Sequence, residues 1–292
     1  MNSGLAEIPR RRKSDRDPRR MRRGMYILPS LFTTANLGAG YYAILQAMHG
    51  SAAEPWRFDF AAKAIGFAVL FDGLDGRIAR LTNTSSDFGR ELDSLADVIT
   101  FGVAPALLAF VWGFHFLAME PFPLMKGWPG QFGAIGSFLF LVAGASRLAR
   151  FNITSNPQPS NPGKPDKKYF VGMPIPAGAG VLAAVIHFSL GEPLASHWMA
   201  MVWLLLVVAV AYLMVSTWRF YSFKDLHFNS RQPFRMVLLL AVIFVAIWSF
   251  SRYVLFGIAL TYMFSGVLWR LQWIFRRRPP APPAYKEASQ PS

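Results

Sequence analysis

The chain has 292 residues, 53% of them hydrophobic and only 16% charged, where a soluble domain carries about a quarter charged residues. Its formal net charge is +14, but the basic residues gather at the ends of apolar runs, as the positive-inside rule expects, which argues for a membrane surface and against a nucleic-acid partner. The absence of cysteine excludes disulfides, thiolate metal ligands and thiol nucleophiles.

Residues 1–24 read as a basic cytoplasmic arm. It holds Arg10, Arg11, Arg12, Arg16, Arg19, Arg20, Arg22 and Arg23, and it is suited to touching anionic lipid. No cleavable signal peptide is expected, because the apolar run after the arm is too long for one. About eight apolar segments follow, each near the roughly 20 residues that a membrane-spanning helix needs. They are expected at 26–48, 58–81, 92–117, 132–152, 174–190, 198–218, 235–250 and 253–275. The first carries small residues at Ala35, Ala39 and Ala43, a face that lets helices approach closely. The last two are separated only by a short turn at 249–252. The expected fold is therefore all-α and polytopic. Residues 25–276 form the membrane domain, and 277–292 form a basic, proline-rich tail without fixed structure.

Loop charge sets the orientation. The arm, the connection with Lys164, Lys167 and Lys168, the connection with Arg219, Lys224, Arg231 and Arg235, and the tail from Arg276 lie on one side if the helices alternate. The other side offers Arg57, Lys126 and Arg252 as its clear loop charges. Both termini are then cytoplasmic.

The chemistry is concentrated in Asp72-Gly-Leu-Asp75-Gly76-Arg77-Ile-Ala79-Arg80, followed after eight residues by Gly89-x3-Asp93-x3-Asp97. Ionised carboxylates inside apolar segments are costly, by at least about 2.5 kcal/mol at the bilayer centre, so such residues usually face a polar cavity and carry function. Asp72 and Asp75 are three apart, and Asp93 and Asp97 are four apart, so each pair shares a helix face. Two antiparallel helices can aim all four at one point, where they cannot all stay ionised without a cation. An oxygen-only donor set suits Mg2+ or Mn2+. Two such ions would clamp the phosphates of a nucleotide-activated substrate. Gly76 and Ala79 leave room for a pyrophosphate or ribose, Arg80 offers a fork of donors to phosphate oxygens, and Gly89 opens the turn into the next helix.

On these residues the chain resembles the CDP-alcohol phosphotransferase family, whose pattern Asp-x2-Asp-Gly-x2-Ala-Arg-x8-Gly-x3-Asp-x3-Asp is matched at every fixed position. The resemblance implies a dinuclear metal site held by Asp72, Asp75, Asp93 and Asp97. It implies CDP contacts from Gly76, Ala79, Arg80 and Gly89, and Asp97 as the general base toward the acceptor hydroxyl. It further implies a homodimer and an active-site cavity open to the cytoplasm, most simply in a bacterial inner membrane. Outside the motif, the stretch from Pro29 to Leu37, Phe101-Gly-Val-Ala-Pro105, Ser146-Arg147-Leu-Ala-Arg150-Phe-Asn152, Gly172-Met-Pro174-Ile-Pro176 and Met214-Val-Ser216 are similar to the branch that uses L-serine as acceptor. Ser30 departs from that branch, where asparagine is usual. The implied reaction moves a phosphatidyl group from CDP-diacylglycerol to serine, releasing CMP. Sister enzymes with glycerol phosphate, an inositol compound or an aminoalcohol as acceptor share the same motif.

Thr33 and Asn36 are candidates for the cytidine side of the cleft. Arg147, Arg150 and Asn152 admit two readings: positive-inside anchoring at a helix end, or recognition of the serine carboxylate or lipid phosphate by bidentate hydrogen bonds. The five histidines, His49, His115, His187, His197 and His227, show no ligand spacing and read as interfacial or packing residues.

Overall fold

The computed structural model describes residues 27–82, 87–118, 127–155, 169–221 and 233–275. The basic arm, the proline-rich tail, the lysine-bearing connection at 164–168 and the cations Lys224 and Arg231 lie outside these residues. Seven helices are described: α1 (Ile27–His49), α2 (Trp56–Thr82), α3 (87–118), α4 (Trp128–Ser155), α5 (Ile175–Phe188), α6 (His197–Val215) and α7 (Pro233–Phe275). The expected seventh and eighth segments run together as α7, which breaks at Phe250, where φ is −134° and ψ is 39°. Among the described residues, four segments are long and apolar enough to cross a membrane: Phe88–His115, Trp128–Ile153, His197–Val215 and Val245–Leu268. Helix α5 has 14 residues and is shorter. Helices α1 and α2 have the length, at 23 and 27 residues. Helix α2, however, carries Arg57, Asp59, Lys63, Asp72, Asp75, Arg77 and Arg80.

Helix α1 lies along α2, α2 also packs against α5, α4 packs on α6, and α7 packs on α5. The core uses Phe58 and Ile65 of α2, Phe101, Leu108 and Trp112 of α3, Phe140 of α4, and Trp203 and Val207 of α6. Large apolar side chains also point outward: Leu70, Phe138, Leu205 and Trp248 are all exposed. A helix that is apolar on its outer face as well as its inner one is suited to lipid rather than water.

The buried stripe of α1 is Thr33, Asn36, Gly40, Ala43 and Ala47. This corrects the expected face, since Ala35 is exposed and Ala39 only half-buried. The stripe is rotated because Gly40, not an alanine, is the point of closest approach: a Cβ there would collide with Thr100 of α3. Two polar residues are thereby carried into the interior. Helix α3 runs continuously but includes two π-helical turns, Val98–Val103 and Val111–His115. Such turns re-register a helix and often accompany functional sites. In the first, the Thr100 hydroxyl donates to the Asn36 carbonyl at 3.1 Å. Just before the second, the Ala109 carbonyl accepts from the Trp203 indole at 3.0 Å.

One feature departs from an all-α fold. Strands β1 (Tyr169–Val171) and β2 (Arg219–Tyr221) form an antiparallel ladder in which Phe170 pairs with Phe220. The ladder continues into the helices, with Gly172 N–H donating to the Trp218 carbonyl at 2.8 Å and Met173 N–H to the Leu213 carbonyl at 3.0 Å. The expected sixth segment, 198–218, therefore ends as helix at Val215. Phe220 is fully buried, with its ring 5.8 Å from that of Tyr262 in α7.

At the N-terminal end of α2 a polar clasp joins three helices. His187 Nδ1 of α5 is hydrogen-bonded to the Asp59 carboxylate of α2 at 2.5 Å, and its Nε2 meets the Ser251 hydroxyl of α7 at 2.9 Å. Lys63 pairs with the same aspartate at 2.7 Å. Phe188 stacks on Phe256 beside it, with ring centroids 4.6 Å apart. His187 is thus a buried polar link between α2 and α7.

Candidate active site

Asp72 lies near the C-terminal end of α2, and Asp93 and Asp97 lie in the first three turns of α3. The spacing of four puts Asp93 and Asp97 on one face of α3, and that face is turned to α2. One carboxylate oxygen from each of Asp72, Asp93 and Asp97 lies within 4.8 Å of the others. Asp97 is buried at 8% exposure, while Asp72 and Asp93 are half-buried. Asp75, Gly76, Ala79 and Arg80 continue α2 one to two turns further, and their side chains lie outside the described part. Gly89 stands in the first turn of α3 and is half-buried.

Three carboxylates at this separation repel one another strongly where water is scarce. A hard divalent cation removes that repulsion and takes oxygen ligands only. The donor set therefore fits Mg2+ or Mn2+ and does not fit a thiolate- or imidazole-seeking metal.

Helix α4 closes the site from another side. Arg147 is buried at 6% exposure, with its guanidinium 5.2 Å from the centroid of the Phe151 ring. Asp97, Asp72, Arg150 and Tyr262 all lie within electrostatic reach of that guanidinium. A buried arginine beside a carboxylate cluster is not an anchoring residue at a membrane surface, so positive-inside placement does not account for it. Arg150 behaves differently: it is exposed, and its guanidinium donates to the Val215 carbonyl at the end of α6 at 3.2 Å. Asn152 donates from its amide nitrogen to the Ser94 hydroxyl at 2.9 Å.

Thr33 and Asn36 sit on the buried face of α1, which packs against the start of α3. Asn36 is 2% exposed, and neither polar atom of its side chain has a hydrogen-bond partner among the described residues. An amide left so is costly by about 1–3 kcal/mol, and the site as a whole thus combines an acidic cluster, a buried cation and an idle amide.

The motif signalled the aspartates, and the Ser146–Asn152 stretch outside it signalled Arg147, but neither pointed to Ser94 or Tyr262. Ser94 lies inside the motif at a position that the motif leaves unspecified. Tyr262 belongs to the last helix, far along the chain, and a tyrosine in an apolar helix carries no signal of its own.

An acidic cluster across two adjoining helices of a membrane protein is a donor set suited to a divalent cation. Comparison with known proteins makes this specific. Residues 26–190 match the family described as CDP-alcohol phosphatidyltransferase. The CDP-diacylglycerol–serine O-phosphatidyltransferase of Helicobacter pylori (strain ATCC 700392 / 26695) is 36% identical over 228 residues, covering 76% of this chain and 83% of that protein. The protein of the same name from Mycobacterium bovis is 35% identical over 234 residues, covering 77% and 71%. The one from Saccharomyces cerevisiae is 38% identical over 156 residues, covering 53% and 51%. The chain belongs to the CDP-alcohol phosphatidyltransferase family. It is an integral membrane transferase of phospholipid synthesis that handles phosphatidyl groups.

Proposed function

We propose that the chain transfers a phosphatidyl group from CDP-diacylglycerol to L-serine, giving phosphatidylserine and CMP. The observation that carries this is the convergence of Asp72, Asp93 and Asp97 within 4.8 Å, with the buried cation of Arg147 in electrostatic reach. The similarity to three serine-using relatives supports serine as the acceptor.

In this reading Asp72, Asp75, Asp93 and Asp97 hold the metal. Two divalent ions, Mg2+ or Mn2+, supply charge neutralisation at the pyrophosphate when bound. Gly76, Ala79, Arg80, Gly89, Thr33 and Asn36 contact CDP, and the idle Asn36 amide supplies a donor and an acceptor for it. Arg147 takes the serine carboxylate by paired N–H donors, a geometry that lysine lacks. Asp97 accepts the proton of the serine hydroxyl. The hydroxyl oxygen bonds to the phosphorus that carries diacylglycerol, and the bond from that phosphorus to the CMP oxygen breaks. Arg80 holds the charge that develops on the leaving group. A single in-line displacement suffices, with no covalent enzyme intermediate.

The membrane domain, 25–276, lies between the basic arm 1–24 and the tail 277–292 in this reading. Both termini and the active site face the cytoplasm, the membrane is a bacterial inner membrane, and two copies form a homodimer.

The test is CMP release by the purified chain in detergent with CDP-diacylglycerol and Mg2+ or Mn2+. L-Serine, glycerol 3-phosphate, myo-inositol and no acceptor are compared. Serine alone is expected to drive release, and Asp97→Asn to lower kcat by at least about 100-fold, the usual contribution of a general base. Release driven by another acceptor leaves the transferase and overturns serine. Release by Asp97→Asn at the wild-type rate overturns the base assignment.

A further inference from the structure

Two of the three converging carboxylates stand on the first turns of α3, so their aim depends on how that helix is rotated about its own axis. A carboxylate oxygen lies about 6 Å from the axis, and a rotation of about 20° moves it roughly 2 Å. Magnesium–oxygen bonds near 2.1 Å tolerate only a few tenths of an ångström. Some contact has to hold the rotation. The outward side of this segment buries little apolar surface, since Phe88 and Leu95 are exposed.

Ser94 stands between Asp93 and Asp97 in the sequence, on the flank of the carboxylate face. Its hydroxyl donates to the Arg90 carbonyl one turn earlier, at 3.0 Å. That back-bond commits the hydroxyl proton and leaves the oxygen as an acceptor. Asn152, near the end of α4, donates its amide N–H into that oxygen at 2.9 Å. The bond spans 58 residues of sequence and ties the segment that carries Asp93 and Asp97 to the helix that carries Arg147.

We propose that Ser94 and Asn152 form a positioning pair that fixes the rotation of α3 and so presents Asp93 and Asp97 to a divalent cation. The inference rests on the reading of the carboxylates as a cation site. It gives Asn152 a role through Ser94, in place of direct contact with the acceptor. Neither residue ligates the metal. Both act as outer-shell partners, whose loss typically weakens metal affinity by about 10- to 100-fold.

The test is direct Mn2+ binding to the full chain in detergent, by electron paramagnetic resonance and calorimetry, without substrates. Wild type is compared with Ser94→Ala, Asn152→Ala, the double variant and Ser94→Thr, with thermal unfolding measured for each. Each alanine variant is expected to weaken Mn2+ binding about 10-fold or more. The double variant is expected to match the singles, because the two residues act as one unit. Ser94→Thr retains the hydroxyl and is expected to bind as wild type does, which keeps the idea testable should one alanine variant fail to fold. Wild-type affinity in both alanine variants overturns the pair, as do single losses that multiply in the double variant. An Asn152→Ala variant with intact Mn2+ affinity and a raised KM for serine also overturns it and makes Asn152 an acceptor ligand. A wild-type chain that binds no Mn2+ overturns the underlying cation site, a result distinct from all of these.

Discussion

Asn36 stores a cost that the fold does not need. Both polar atoms of its amide are buried without a hydrogen-bond partner among the described residues, and a well-packed apolar residue of similar shape would remove about 1–3 kcal/mol of desolvation penalty. The neighbouring Thr100 hydroxyl is served by the Asn36 backbone carbonyl, so the side chain is not required for that contact. Retaining an idle amide in an interior makes sense if a ligand pairs with it. Asn36→Leu is therefore expected to raise the Tm of the ligand-free protein by a few degrees and to raise the KM for CDP-diacylglycerol about 10-fold or more, that of one to two lost hydrogen bonds. Differential scanning fluorimetry and initial rates check the two halves. A lowered Tm would show that the amide is a structural member. The sequence placed Asn36 near the site through its surroundings, yet nothing in it announced the burial. That depends on the rotation of α1, which Gly40 and Thr100 decide by tertiary contact.

Elements built from long apolar runs were legible, because a backbone in lipid has to satisfy its hydrogen bonds within the helix. The ladder of β1 and β2 was not. Three-residue strands at the edge of basic connections carry no periodicity of their own, and they exist because residues 172–173 and 213–218 bond across the ends of two helices. Gly172 makes that crossing possible. Its φ is +79°, and a Cβ there would strike the Met214 carbonyl. Alanine meets both penalties at once, a positive φ and a backbone collision, for a combined cost of about 1–3 kcal/mol. Gly172→Ala is expected to lower Tm and to reduce activity in proportion to the folded fraction, with KM for serine unchanged. Thermal unfolding together with KM checks this. A raised KM in fully folded protein would instead make the ladder part of the acceptor pocket. The π turns of α3 were equally hidden, since the Asn36 carbonyl of α1 and the Trp203 indole of α6 meet that helix from its neighbours.

Taken whole, the molecule separates two polar clusters along α2. Asp59 and Asp72 are 13 residues apart, about 20 Å at 1.5 Å per residue, so the clasp and the acidic cluster lie toward opposite ends of the helix. The two clusters differ in charge balance. The clasp neutralises Asp59 with Lys63 and supports it with His187. The acidic cluster gathers three carboxylates, with the arginine Arg147 held within reach. The first pairs one carboxylate with a cation of its own helix, and the second gathers three carboxylates in the donor arrangement that the proposed reading assigns to a divalent cation. Stability should then depend on divalent cations at one end only. Ligand that binds the folded state alone adds about 2.7 kcal/mol at a concentration 100 times its Kd. Millimolar Mg2+ or Mn2+ is expected to raise the Tm of the wild-type chain by several degrees over a chelated sample, and the shift is expected to vanish in Asp72→Asn. That variant removes one negative charge, so its chelated form is expected to unfold at or above the wild-type temperature, since the mutual repulsion is reduced. His187→Ala disturbs the other cluster. It is expected to lower Tm in chelator and in metal alike and to leave the metal-induced shift intact. A metal shift that survives Asp72→Asn and disappears in His187→Ala would reverse the assignment of the two clusters.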